Sequence, residues 1–297
     1  MNTAASAPPT SSAPPGASLQ EVLGRLGKTP QDHKYGHGHA LVLAGGSGQG
    51  GAARLAARGA LRIGAGLVTV GCPPAAIAEH AAQLNAIMLT PIDSGDELTA
   101  QLDDPRINAL CLGPAMGQGP RTDALVQAAL TARRATVLDA DALSFYHDQP
   151  EALFARTHDR CVLTPHAGEF ARLFPDHATT LTREQLHAGG AEKLAVTVRA
   201  AQRAGCVVVL KGAATTIADP AGRTARHDRP APWLATAGTG DVLAGIVTGL
   251  MARGLDAFDA ARAAVWLHAE AARRFGPGLI AEDIPEALPR VLKALGH

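Results

Sequence analysis

The chain has no net charge to spend on a large polyanion. Lys plus Arg and Asp plus Glu both number 27 in 297 residues, so no overall field favours nucleic acid or an anionic membrane, and an anionic ligand needs a local pocket. It also lacks any C-x-x-C pair. Cys72, Cys111, Cys161 and Cys206 are far apart, in or beside apolar strand-like runs, and read as reduced core residues. Disulfide staples are not expected in a chain with this much core, and a cytoplasmic setting follows. No apolar run is long enough to span a bilayer, because Pro, Gly or charge interrupts each one. The opening MNTAASAPPTSSAPPGAS has neither charge nor a continuous apolar stretch, which argues against a secretory signal and an Arg-rich transit peptide. Residues 1–19 are expected to be a disordered Ser/Pro/Ala-rich tail, and residues 20–297 a single domain.

Several catalytic signatures are missing too. There is no G-x-S-x-G elbow and no cysteine in an activating motif, so acyl transfer falls away. LAGGSGQGGA (43–52) lacks the Lys-Ser/Thr ending of a Walker loop and the G-x-G-x-x-G spacing of a dinucleotide fold. Phosphate handling by other loops remains.

What is present alternates. Short apolar runs ALVLAG (40–45), GLVTVGC (66–72), ALCLG (109–113), TVLDAD (136–141), CVLTP (161–165) and CVVVLKG (206–212) are separated by Ala-rich segments of helical period. That pattern predicts an α/β fold with a mostly parallel central sheet flanked by helices on both faces. TTIADPAGRTARHD adds a β-hairpin turning at DPAG. Arg54, Arg58 and Arg62 recur at i, i+4 and i+8 opposite Ala52, Leu55, Ala56 and Ile63, as a solvated helix face does. Nearly all the strand runs end in Gly, Pro or Asp, and in such sheets ligands collect beyond the carboxyl ends of the strands.

Several of those ends carry chemistry. LAGGSGQGGA is a glycine-rich wall opening a helix at Ala52, LGPAMGQG (112–119) is a second loop, and LKGAATT (210–216) a third with Lys211 at the strand end. Each alone is more often a tight turn than a ligand contact, and convergence on one edge reverses that weighting. In ATAGTGDVLAGIVTGLMARG (235–254), Gly238 and Gly240 lie at a helix start with Asp241 on its first turn. Free amides there attract phosphate, while a plain helix cap with packing glycines at Gly245 and Gly249 is the competing reading. LTPHAGEF (163–170) offers His166 and Glu169. Zinc fails there for want of a third ligand, and magnesium carried on phosphates suits one Glu better. His33, His37 and His39 look like a metal tract but have only Asp32 as a neighbouring acid, so a metal there is disfavoured. In VLDADAL, one of Asp139 and Asp141 is expected to cap the next helix and the other to face the crevice.

The ordered set HKYGHGHALVLAGGS, GALRIGAGLVTV, GPAMG, VLDADAL, LTPHAGEFARL, VVLKGAATTIADP and AGTGDVLAGIVTGLMARG, over about residues 20–295, resembles the ADP-dependent NAD(P)H-hydrate dehydratases, which have a ribokinase-like fold. The resemblance implies a lyase of metabolite repair. It would dehydrate the S epimers of NADHX and NADPHX to NADH and NADPH, consuming ADP with magnesium and giving AMP and phosphate, usually as a homotetramer. It further implies that Ala52, Gly117, His166 and Asp241 contact the hydrated nucleotide, with Asp241 the catalytic base. Lys211, Gly212, Ala213, Ala214 and Thr215, together with Gly238, Thr239 and Gly240, would hold the adenine nucleotide, and Glu169 would reach the metal through water. GGSGQGGA is one residue shorter than the common family form and lacks its methionine. Many relatives carry an N-terminal epimerase domain, and here a separate chain or spontaneous epimerisation is expected instead. The nearest alternative is a small-molecule kinase of the same fold, such as a hydroxyethylthiazole or hydroxymethylpyrimidine kinase, although these typically place Asn where His166 stands. A non-catalytic nucleotide-binding protein is the third reading.

Overall fold

A computed structural model describes residues 17–297. Residues 1–16, most of the expected tail, lie outside the described residues. Ser18 already caps the helix Leu19–Gly24: its hydroxyl accepts the Glu21 N–H (3.2 Å) and its own N–H donates to the Glu21 carboxylate (2.6 Å). This reciprocal pair satisfies two otherwise open donors, and it makes Ser18 and Leu19, expected in the tail, part of a capped helix.

Among the described residues, nine strands form one sheet: β1 (His39–Leu43), β2 (Leu67–Cys72), β3 (Met88–Pro91), β4 (Ile107–Leu112), β5 (Ala135–Leu138), β6 (Cys161–Leu163), β7 (Val207–Leu210), β8 (Thr215–Ala218) and β9 (Thr224–His227). Their order is β3-β2-β1-β4-β5-β6-β7-β8-β9. Pairs from β3 across to β7 are parallel, and β7–β8 and β8–β9 are antiparallel. The expected hairpin is β8–β9, with the Gly222 N–H closing its turn on the Asp219 carbonyl. The order reverses between β1 and β4, the kind of switch point at which a crevice opens beyond the strand ends.

Helices cover both faces. Along β1, Ala40 and Val42 enter one core while Leu41 and Leu43 enter the other, as a two-residue period requires. The first core is closed by helices Gly51–Arg62, Thr239–Ala252 and Ala257–Phe275, the second by Pro120–Thr131 and Ala191–Ala204. Thr239–Ala252 is buried along its length from Val242 onward. It crosses Gly51–Arg62 so closely that a methyl at Gly245 would meet the Ala56 carbonyl.

Two expectations change here. The arginine stripe is not simply solvated, because Arg54 pairs with Glu79 (3.1 Å) and Arg58 (2.6 Å) and Arg62 pair with Glu286. The helix expected to open at Ala52 opens at Gly51, one residue earlier. All four cysteines are free and buried. No helix of the described residues is long and apolar enough to cross a membrane.

Candidate active site

The carboxyl ends of β5, β6 and β7 meet at one ion pair. Lys211, the residue after β7, donates from Nζ to Asp139 Oδ1 (2.7 Å), and the Thr164 hydroxyl after β6 donates to the same oxygen (2.8 Å). Parallel register sets Asp139 beside Thr164, and Lys211 reaches back to them from two residues farther along. Asp139 is buried and Lys211 reaches the surface only in part. Burial works against the Lys211 charge, but Asp139, Glu169 and Asp241 outweigh it and hold its pKa above the ordinary lysine value.

Asp241 is the third residue of Thr239–Ala252. The cap position belongs to Gly238, in the left-handed region at φ 87°, and no side chain caps this end. Gly240 is therefore inside the helix rather than ahead of it, and a Cβ there would stand 3.4 Å from Lys211 Nζ. Open first-turn amides with a lysine alongside make a site for an anion. The helix start is fixed from below. Thr239 Oγ1 donates to the carbonyls of Leu234 (2.9 Å) and Thr236 (3.1 Å), and its own carbonyl lies 2.9 Å from Nε2 of buried His268. Burial drives the His268 pKa down to about 4, so near neutral pH the ring is uncharged and donates that bond. Burial first, and the Asp139 charge second, raise the Asp241 pKa to about 6. A carboxylate of that pKa is mostly ionised at pH 7 yet basic enough to take a proton.

His166 caps the helix Ala167–Leu173 with its ring. Nδ1 accepts the N–H groups of Gly168 (2.9 Å) and Glu169 (3.2 Å), and the buried Glu169 carboxylate accepts the His166 N–H (2.8 Å). With Nδ1 an acceptor, Nε2 carries the proton of the neutral ring. The ring is half-exposed, and Nε2 lies 3.5 Å from Glu169 Oε1. Burial raises the Glu169 pKa to about 7.

Gly117 donates its N–H to Asp141 Oδ2 (2.9 Å) and its carbonyl accepts from Thr122 (2.7 Å). Its own backbone is thus internally paired, and what it offers a ligand is open space where a side chain would stand. The expectation that one of Asp139 and Asp141 caps the next helix is corrected: Ala140 holds the cap position without a side-chain bond, and both carboxylates serve the loops. Ala52 lies in the first turn of Gly51–Arg62, the helix whose Leu55 meets Gly238.

A cavity of about 930 Å³ opens beside these groups. It is lined by Lys211 to Thr215, Thr239 and Gly240, but not by Gly238, Asp241, His166, Gly117 or Ala52. Sequence reasoning missed other parts of its walls, among them Gly189 and Gly190, the Arg226–Ala231 stretch that runs out of β9, and His268. The GG dipeptide was the readable signal, since both glycines take positive φ. Nothing in AVWLHAEAA separates His268 from an ordinary helix residue.

His33, His37 and His39 face three different partners: the Gly36 N–H, Asp32 (3.4 Å) and Thr69 (2.7 Å). Among the described residues no three His, Cys, Asp or Glu side chains gather as a metal cage. Asp139 is committed to Lys211 and Thr164, and one Glu169 oxygen to the His166 amide. This donor set does not fit a magnesium ion held by protein alone, and it does fit one brought in on phosphates.

The family model for NAD(P)H-hydrate dehydratase matches residues 40–289. The chain is 37% identical over 283 residues to a bifunctional NAD(P)H-hydrate repair enzyme of Salinibacter ruber, covering 89% of this chain and 50% of that one. It is 36% identical over 279 residues to the corresponding Moorella thermoacetica enzyme, covering 89% and 51%. The chain thus spans about half the length of the curated relatives it matches. The fold superposes with a TM-score of 0.75 on an ADP/ATP-dependent NAD(P)H-hydrate dehydratase of Bacillus subtilis co-crystallised with ATP/Mg2+, at 28% identity and over 93% of this chain and 97% of that one. A ribokinase-like superfamily protein of Enterococcus faecalis shares the fold at TM-score 0.76 and 23% identity, over 93% and 94% of the two chains. The expected ribokinase-like architecture is therefore the observed one, and the chain belongs to the NAD(P)H-hydrate dehydratase family.

Proposed function

We propose that this protein dehydrates the S epimers of NADHX and NADPHX to NADH and NADPH at the expense of ADP, giving AMP and phosphate. One observation carries the phosphoryl-transfer step: Asp241, with its pKa near 6, stands on an uncapped helix turn beside Lys211, next to a cavity lined by the 211–215 turn. The chemistry of the hydrate itself comes from family membership, and is an analogy at that level.

Asp241 takes the proton of the hydrate's hydroxyl. The hydroxyl oxygen then bonds to the terminal phosphorus of ADP as that phosphorus parts from its bridging oxygen, leaving AMP. First-turn amides and Lys211 hold the transferring group and its developing charge. The ring C–O bond of the new phosphate ester then breaks, phosphate departs, and the neighbouring carbon gives up a proton to it, which restores the double bond of the reduced nicotinamide. Ala52, Gly117 and His166 hold the hydrated nucleotide, and Lys211 to Thr215 with Gly238, Thr239 and Gly240 hold ADP. Magnesium carried on the phosphates, as the ATP/Mg2+ complex of the Bacillus protein suggests, would neutralise charge there, with Glu169 reaching it through water.

The four buried free thiols support a cytoplasmic setting. A homotetramer completes the reading. The test is purified protein with hydrated NADH and either ADP or ATP. Return of the reduced-nicotinamide absorbance with stoichiometric AMP from ADP, or ADP from ATP, is the expected result. A phosphorylated product without that absorbance would indicate a kinase instead.

A further inference from the structure

Beneath the 211–215 turn lies a lysine without a carboxylate. Lys193, on the helix Ala191–Ala204, is fully buried. Its Nζ donates to the carbonyls of Ala214 (2.6 Å) and Lys211 (3.4 Å). The helix is held against β8 by Thr197, whose hydroxyl bonds the Lys193 carbonyl (2.7 Å) and lies 2.7 Å from the Thr216 hydroxyl. Room for the ammonium comes from Gly212, where a Cβ would stand 2.7 Å from Nζ. In a trans peptide the N–H of the following residue points away from the carbonyl. Carbonyls drawn down to Lys193 therefore turn the amides of Gly212 and Thr215 to the opposite side, and both residues line the cavity.

A buried cation with only carbonyl partners is costly, and a fold retains one where an anion completes the balance. We propose that Lys193 is a positioning residue of the adenine-nucleotide site, setting the 211–215 turn in its amide-presenting form and placing a positive charge behind it for the phosphates. This rests on the assignment of ADP to that turn.

Burial alone lowers the Lys193 pKa, to about 8. Nearby elements carry Glu192 on the same helix, His187 at the end of Arg183–Ala188, Lys211 in the turn, and Arg226 and His227 on β9. Farther along, Glu151 and Asp176 turn to Arg203. None of them contributes to the Lys193 shift. A bound anion favours the charged ammonium, so ADP affinity should fall as pH rises through 8. Lys211 does not supply this slope, because its carboxylate neighbours hold its own pKa above the ordinary lysine value.

The experiment is calorimetric titration of the intact protein with ADP and magnesium at pH 7.5 and 9.5. The parent should weaken about tenfold across that interval. Lys193→Arg, which keeps its charge at both pH values, should bind without the slope. Lys193→Met should bind about tenfold more weakly already at pH 7.5, with turnover at saturating ADP within about threefold of the parent. Equal affinity at both pH values in the parent, or an unchanged slope in Lys193→Arg, overturns the proposal even if Lys193→Met fails to fold. Parental affinity in a folded Lys193→Met does so too. Absence of ADP binding by the parent overturns the nucleotide assignment, and the proposal with it.

Discussion

Two stretches of the same sheet edge are built in opposite ways. After β7, the Lys211–Thr215 turn presents backbone to a cavity and is braced by a cation from behind. Around the ends of β5 and β6 and the start of Thr239–Ala252, Asp139, Glu169 and Asp241 crowd one lysine. Burial raises the Asp241 and Glu169 pKa values to about 6 and about 7, and the Asp139 charge adds to both shifts. The first stretch suits binding, because amides do not titrate. The second suits proton transfer, because carboxylates desolvated together become basic near neutral pH. The contrast predicts that damage to one side spares the other.

The largest effect belongs to Asp241→Asn. Turnover should fall by about two to four orders of magnitude, with ADP affinity close to the parent and no loss of melting temperature. Near-normal turnover would remove the distinction between the two stretches. Next comes Asp139→Leu, which strips the Lys211 ammonium of its buried partner. A stability loss of about 3–5 kcal/mol is expected, read as a melting temperature roughly 10 °C lower. An unchanged melting curve would show that the ion pair is not structural.

His166→Asn is a smaller change, since Asn accepts the amides that Nδ1 now caps. The KM for the hydrate should rise about tenfold while ADP affinity stays within about twofold. Equal losses would contradict the assignment of His166 to the hydrate.

The smallest effects are those of pH. If Asp241 is the base, the logarithm of turnover should drop with unit slope below pH 6, a limb that moves to lower pH when Asp139 is neutralised. Stability runs the other way for this group. The folded carboxyl keeps its proton up to about pH 6 and the unfolded one only to 3.8, so the folded state binds more protons between them and loses stability as pH rises through that window. Asp241→Asn should therefore gain a few degrees in melting temperature relative to the parent at pH 7 compared with pH 4. An identical difference at both pH values would show that Asp241 is not desolvated.

Much of this was legible in the residues. Six apolar runs and the DPAG hairpin correspond to eight of the nine strands, because parallel strands buried on both faces read as continuous apolar segments. β3 escaped, since MLTP at the sheet edge is partly exposed throughout and offers no buried run. Lys211, His166 and Asp241 were readable as strand-end and helix-start residues.

Composition, period and punctuation, all local properties, determined the class of fold, the strand ends and the residue types gathered there. Which groups pair was decided by parallel register and helix crossing, which join residues far apart in the chain. Lys211 meets Asp139 72 positions away, His268 reaches back 29 to hold the start of the Asp241 helix, and Lys193 comes up under the turn. A lysine in AEKLAV and a histidine in AVWLHAEAA look ordinary in sequence, because their charge and partners are set by desolvation, and desolvation exists only once the chain has packed.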